Sequence, residues 1–206
     1  MSIYHASLIP EKTYHIISRA IGSDMLFIDD ENYSFFLQRF NKYISGVAST
    51  LAYCLLPNHF HFLIELRTIE EINEYHRRIY PTKPFVNENA PAFISKQFSN
   101  LLNSYTKSFN TRYKRKGALF IDKFRRVEIV SNAQYRHTFF YIHRNPQHHG
   151  YVEDFKKWRW SSYNNYLLQN SDWLMYQKGI GLFDNIEQFI AFHQQPVELK
   201  KNYEIE

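Results

Sequence analysis

The sequence predicts an α+β fold, a mainly antiparallel sheet with helices packed on it and a C-terminal extension beyond it. Three observations carry that expectation. Two β-rich runs, "STLAYCLL" and "HFHFLIEL", are split only by Pro57 and Asn58, a dipeptide suited to a tight connection, so they form a hairpin. Two long stretches space their apolar residues by three and four, as helices do. Strand-like and helix-like segments also alternate along the chain. The 206 residues are 44% hydrophobic and 18% aromatic, enough to bury a real core, which excludes a disordered chain.

The elements follow in order. "TYHIISRA" is β-rich and gives way to a turn in "GSDMLF". Behind acidic cap candidates, "DDENYSFFLQRFNKYI" carries Tyr33, Phe36, Leu37, Phe40 and Ile44 at helical spacing. The hairpin comes next. Residues 67–91 hold three of the seven prolines and read as an irregular excursion with at most a short helix around "IEEINEYHRRI". From Ala92, the positions Ile94, Phe98, Leu101, Leu102, Tyr105, Phe109 and Tyr113 mark one amphipathic helix ending near Gly117. A short strand, "RRVEIV", precedes the helix "NAQYRHTFFYIHRN", which Ser131 and Gln134 cap and Pro146 cannot continue. The order places helices on one face of the sheet, close to the ferredoxin-like pattern. Residues 151–206, with "WRWSSYNNY" and a final helix-like "NIEQFIAFHQQ", form the extension.

The formal net charge of +5 favours an anionic partner, with nucleic acid the first candidate. A single cysteine, Cys54 in the apolar "LAYCLL", excludes an intrachain disulfide and reads as a small buried hydrophobe in a reducing compartment. No run approaches the roughly 20 apolar residues that span a bilayer, and the N-terminal segment lacks a signal-peptide core. The expectation is a cytoplasmic chain with no membrane partner.

Within "LPNHFHFLIEL", His59 and His61 are two apart on a strand, so their side chains share one face while Phe60 and Phe62 point to the other. Two imidazoles there can share one ion; the alternative is the solvent-facing side of a sheet strand. An ion would need a further ligand, and a catalytic site would need a nucleophile nearby. The helix before Pro146 offers both. Tyr141 and Asn145 are four apart, one turn from each other on a helical face, with His137 and Arg144 near the same face. The alternative there is a core tyrosine and an Asn-Pro helix stop.

"YCLLPNHFHFLIE", "FSNLLNSYTKSFNTRYKRKGALF", "DKFRRVEIV" and "YIHRNPQHHGYV" with "WRWSSY" together resemble the REP-associated tyrosine transposases, a branch of the single-tyrosine HUH transposases acting on single-stranded DNA. The similarity runs from about Tyr14 to Tyr166. It implies a ferredoxin-like HUH-type transposase/nuclease domain over residues 1–150, with Tyr141 as nucleophile, His59 and His61 as ligands of a divalent ion, and Asn145 as a further ligand. It also implies a hairpin-forming single-stranded DNA as partner. Two imidazoles plus an amide favour Mn²⁺ over Mg²⁺ in intrinsic affinity, and cellular abundance favours Mg²⁺. The excursion at 67–91 departs from shorter members. Monomer and homodimer both remain open, as do two rival readings: a nucleic-acid-binding protein of the same fold without cleavage, and a metal phosphodiesterase using water.

Residues 101–126 hold eight Lys or Arg against one acid, Asp122, so this segment carries +7 and the rest of the chain sums to −2. Interleaved with Tyr105, Phe109, Tyr113, Phe120 and Phe124, the charges suit phosphate neutralisation with some base stacking; the alternative is a solvated helix end with its aromatics in the core. Lys114, Arg115 and Lys116 are the foremost DNA-contact candidates, followed by Arg125 and Arg126. Arg159, between two tryptophans, touches DNA or merely solubilises the extension.

Overall fold

The computed structural model describes residues 6–121 and 124–196. Its elements are β1 (Thr13–Arg19), α1 (Asp30–Ile44), β2 (Ala48–Leu56), β3 (His59–Leu66), α2 (Ile69–Ile79), α3 (Ala90–Arg112), β4 (Arg125–Ile129), α4 (Asn132–His148), α5 (Tyr163–Leu168), α6 (Tyr176–Gly181) and α7 (Ile186–Gln194). The four strands pair antiparallel in the order β2-β3-β1-β4. That is the ferredoxin-like arrangement, with the hairpin β2-β3 turning through Pro57 and Asn58.

Strand alternation sorts the side chains onto two faces. Tyr14, Ile16, Phe60, Phe62, Ile64, Tyr53 and Leu55 join α1 and α3 in one core. Ala52, Cys54, Leu56, Leu63 and Ile129 join Tyr135, Phe139 and Ile142 of α4 in another. Helices therefore cover both faces rather than one. α4 is the element that makes the difference, and a strand with large apolar groups on both sides of its pleat requires such a second cover.

The sequence placed the ends of two helices wrongly. α3 starts two residues earlier, with Pro91 in its first turn, and ends at Arg112 rather than near Gly117. Lys114 adopts a left-handed conformation (φ 51°), and Asn110 Nδ2 donates to the Gly117 carbonyl at 2.8 Å, which turns the chain back. α4 runs through Pro146 to His148. A proline so near the C-terminus forgoes only the hydrogen bond to its own i−4 carbonyl. The terminator is Gly150 at φ +71°, whose N–H donates to the Gln147 carbonyl while Tyr151 N–H donates to that of Pro146, a Schellman closure.

The segment beyond Gly150 completes the second core. Phe155, Tyr163, Tyr166, Phe183 and Phe189 are buried in it. Its backbone also covers the outer edge of β2: Leu55 N–H donates to Trp160 O, Ser162 N–H to Tyr53 O, and Met175 N–H to Thr50 O. An otherwise open strand edge is thereby closed. Cys54 is fully buried, and burial pushes its thiol well above the usual range, so it stays a protonated hydrophobe. Among the described residues no helix is long and apolar enough to cross a membrane.

Candidate active site

β3 begins with His59 directly after the turn, and in register His59 faces Arg19 of β1 and Leu56 of β2, while His61 faces Ile17 and Cys54. Both histidines lie on the sheet face that α4 crosses, so neither is solvent-facing: His59 is 8% exposed and His61 fully buried. Helical geometry then brings Tyr141 and Asn145, one turn apart on α4, against them. The Tyr141 ring stands edge-on to His61, centroids 5.6 Å apart, and Asn145 Oδ1 lies 3.4 Å from His59 Nε2. Four residues from two distant segments thus meet at one point.

Each imidazole is held by its inner nitrogen. His59 Nδ1 donates to Asn58 Oδ1 at 2.7 Å, and that same oxygen accepts from the Tyr151 hydroxyl at 3.3 Å. His61 Nδ1 is 3.0 Å from Nε2 of His15, with the two rings stacked. His15 is buried on β1 and also lies edge-on to Tyr141, at 6.2 Å. Sequence reasoning missed it. The available signal was its place in "TYHIISR", where the flanking Tyr14 and Ile16 are core residues and His15 must therefore face the other side. His149, just past the end of α4, was missed too; its ring is 4.9 Å from that of His59.

Beside His59 opens a cleft of about 230 Å³ whose lining includes Arg19, Asn58, His59, Arg125 and His149. Asp122, next in sequence to the lining residue Ile121, and Lys123 lie outside the described residues. The amide nitrogen of Asn145 is buried with no hydrogen-bond partner. Among the described residues no group of three or more His, Cys, Asp or Glu is arranged to hold a metal, so an ion here would rest on two imidazoles and an amide.

His137 and Arg144 do not join the site. Relative to Tyr141 they are rotated about 40–60° away from the Asn145 side of the helix. His137 packs on Phe192, and Arg144 lies over Phe140 and Phe155 and donates to the His193 carbonyl. Both therefore serve the contact with α7.

The basic candidates separate. Arg125 lines the cleft; its neighbour Arg126 points to the opposite sheet face, where it donates to the Ala6 carbonyl and lies over Phe124, half-buried. Arg115 is tied to Asp24 and to Asn110, whereas Lys114 and Lys116 are exposed. Arg159 pairs with Asp30 at 2.7 Å and covers Trp160. No residue from 112–116 lines the cleft. The interleaved aromatics Tyr105, Phe109, Phe120 and Phe124 are at most 8% exposed and belong to the first core, which removes them as base-stacking surfaces.

No family model matches the chain. A Haemophilus influenzae protein named "Putative REP-associated tyrosine transposase" is 32% identical over 117 residues, which is 56% of this chain and 58% of that protein. The chain thus matches less than two thirds of that relative's length. A solved structure described as a REP-associated tyrosine transposase bound to a REP hairpin superposes with a TM-score of 0.61 at 17% identity, covering 82% of this chain and 87% of that one, and at that identity shows the shared fold. Both proteins are named as REP-associated tyrosine transposases, the family whose motifs this chain's resemble.

Proposed function

We propose that this chain is a REP-associated tyrosine transposase, a nicking and joining enzyme for single-stranded DNA with hairpin-forming targets, acting in the cytoplasm with a divalent metal. The observation that carries the reading is the convergence of Tyr141 and Asn145 on His59 and His61 across the sheet face. A tyrosine attacking a phosphodiester forms a 5′-phosphotyrosine and releases a 3′-hydroxyl, so one phosphodiester replaces another and rejoining requires no external energy. Tyr141 must lose its proton on the way. With a phenol pKa near 10, ionisation at neutral pH costs on the order of 4 kcal/mol.

The residues fit a divalent ion. Because His59 Nδ1 donates to Asn58, the Nε2 of a neutral imidazole turns a lone pair towards the Asn145 amide oxygen 3.4 Å away. His59 Nε2 and Asn145 Oδ1, set side by side in a buried site, are both lone-pair donors of the kind a divalent cation takes. His59, His61 and Asn145 Oδ1 would hold Mg²⁺ or Mn²⁺, and such an ion, when bound, supplies charge stabilisation at the scissile phosphate. His15 and Asn58 fix the two rings in the ligating orientation.

The test is incubation with single-stranded hairpin oligonucleotides and Mn²⁺ or Mg²⁺, followed by denaturing electrophoresis. A covalent protein-DNA band that requires the metal is expected. Cleaved DNA without an adduct would replace the tyrosine by water; binding without cleavage would leave a nucleic-acid-binding protein of this fold.

A further inference from the structure

Arg19 differs from the ion-paired arginines in its place, in the cleft beside His59. Arg112 is engaged by Asp29 and Glu31, Arg115 by Asp24 and Arg159 by Asp30. Among the described residues Arg19 forms no ion pair, it is exposed, and it lines the cleft beside His59. Its backbone is fixed on both sides: its carbonyl accepts from Ile121 N–H at 3.0 Å, and the next residue's N–H donates to Asn58 O at 2.8 Å. In the sheet register it is the direct cross-strand neighbour of His59. Side chains so paired stand about 5 Å apart at Cβ and share a face.

We propose that Arg19 binds a phosphate of single-stranded DNA in this cleft, presenting the strand to Tyr141 and His59. The inference rests on the reading of the site given above and adds a substrate-contacting residue to it. A guanidinium rooted on a rigid strand matches the non-bridging oxygens of a phosphodiester through two parallel N–H donors. The cleft holds a second guanidinium, Arg125, and two imidazoles, His59 and His149, around one opening. The volume of about 230 Å³ suits a nucleotide backbone segment rather than a stacked duplex.

The experiment is a methylphosphonate scan. A hairpin oligonucleotide with a single-stranded flank carries one neutral linkage at successive positions, and binding is measured by fluorescence anisotropy for wild type, Arg19→Gln and Arg19→Lys. One linkage should weaken wild-type binding about tenfold while leaving Arg19→Gln unmoved, since that variant has already lost the charge-assisted contact. The salt slope of Arg19→Gln should also be smaller by about 0.7 than that of wild type, with Arg19→Lys restoring it. Identical linkage profiles in wild type and Arg19→Gln overturn the proposal. A wild type that forms no adduct but keeps the Arg19-dependent linkage refutes cleavage and leaves the contact standing; an adduct with no such linkage refutes the contact alone.

Discussion

A phenol and three histidines packed against one another form an unusual sheet-helix contact, and each member can be tested by removing little else. Tyr141 is 7% exposed and meets His15 and His61 edge-on. Tyr141→Phe keeps those ring contacts and deletes only the hydroxyl, so adduct formation should fall by more than about a thousandfold while hairpin affinity stays within a small factor. An undiminished adduct would move the nucleophile elsewhere on α4. His15 makes a second test, because its only proposed task is to orient His61. Substituting it with Ala should lower Mn²⁺ affinity by about 10–100-fold in calorimetry, as loss of a ligand's supporting partner typically does. His61→Ala, which deletes the ligand, should lose more; equal affinity in all three proteins would return these rings to a structural role. His59 and His61 were legible as a pair because strand alternation alone puts them on one face. His15 was not, because one imidazole in a β-rich run looks the same whether it meets water or a histidine on the next strand.

From Thr138 to Pro146 α4 is buried on nearly every side, and this explains both what its sequence revealed and what it hid. Tyr135, Phe139 and Ile142 meet the sheet, Phe140 and His143 meet α7, and Tyr141 and Asn145 meet the histidines. With apolar groups on every side, the residues marked where a helix lies but not which flank faces the site, which is how His137 and Arg144 came to be grouped with Tyr141. The fixing of α4 to the extension is a buried polar chain. Tyr53 N–H donates to Ser162 Oγ, Ser162 lies 2.7 Å from His143 Nε2, His143 Nδ1 lies 3.0 Å from His193 Nε2, and His193 Nδ1 donates to Phe189 O. Every position in that chain is filled with both imidazoles neutral, so an added proton has no acceptor. Burial holds His193 at about 4 and His143 well below the ordinary 6.5; the Arg144 charge opposes protonation of His193 further, and a proton on His193 would oppose one on His143. The unfolded chain therefore binds these protons at a higher pH than the folded one. Stability is intact above about pH 6.5 and declines as the pH falls towards 4, by up to about 1.4 kcal/mol per pH unit for each histidine. Thermal midpoints between pH 7 and 4.5 should show that decline, and His143→Gln with His193→Gln should flatten it. A profile of unchanged steepness in the double variant would place the acid sensitivity elsewhere.

Across the whole molecule, the sheet and its strand order follow from patterns visible in the residues. The alternation in "TYHIISR" and "HFHFLIEL" and the Pro57-Asn58 turn define three strands, and the register then follows from which face must be apolar. The partnership between the sheet and the residues after Gly150 was not visible, since short aromatic segments such as "WRWSSYNNY" carry no period that names what they cover. Yet that partnership closes the β2 edge and walls the second core, the same core that seats α4 and thus Tyr141. Ending the chain at Gly150 would remove Phe155, Phe183 and Phe189, each at most 2% exposed, along with Tyr163 and Tyr166. At about 1.5–3 kcal/mol per buried side chain, the three phenylalanines alone approach the roughly 5–15 kcal/mol that holds a domain folded. The same cut would expose Leu51, Ala52 and Cys54 beside an unpaired strand edge, a surface that templates association with other copies. The shortened chain should therefore be recovered largely as aggregate, or melt without a cooperative transition in circular dichroism. A soluble 1–150 fragment melting within a few degrees of the full chain would show that the sheet and α4 stand without the extension, and would make the seating of Tyr141 a property of α4 alone.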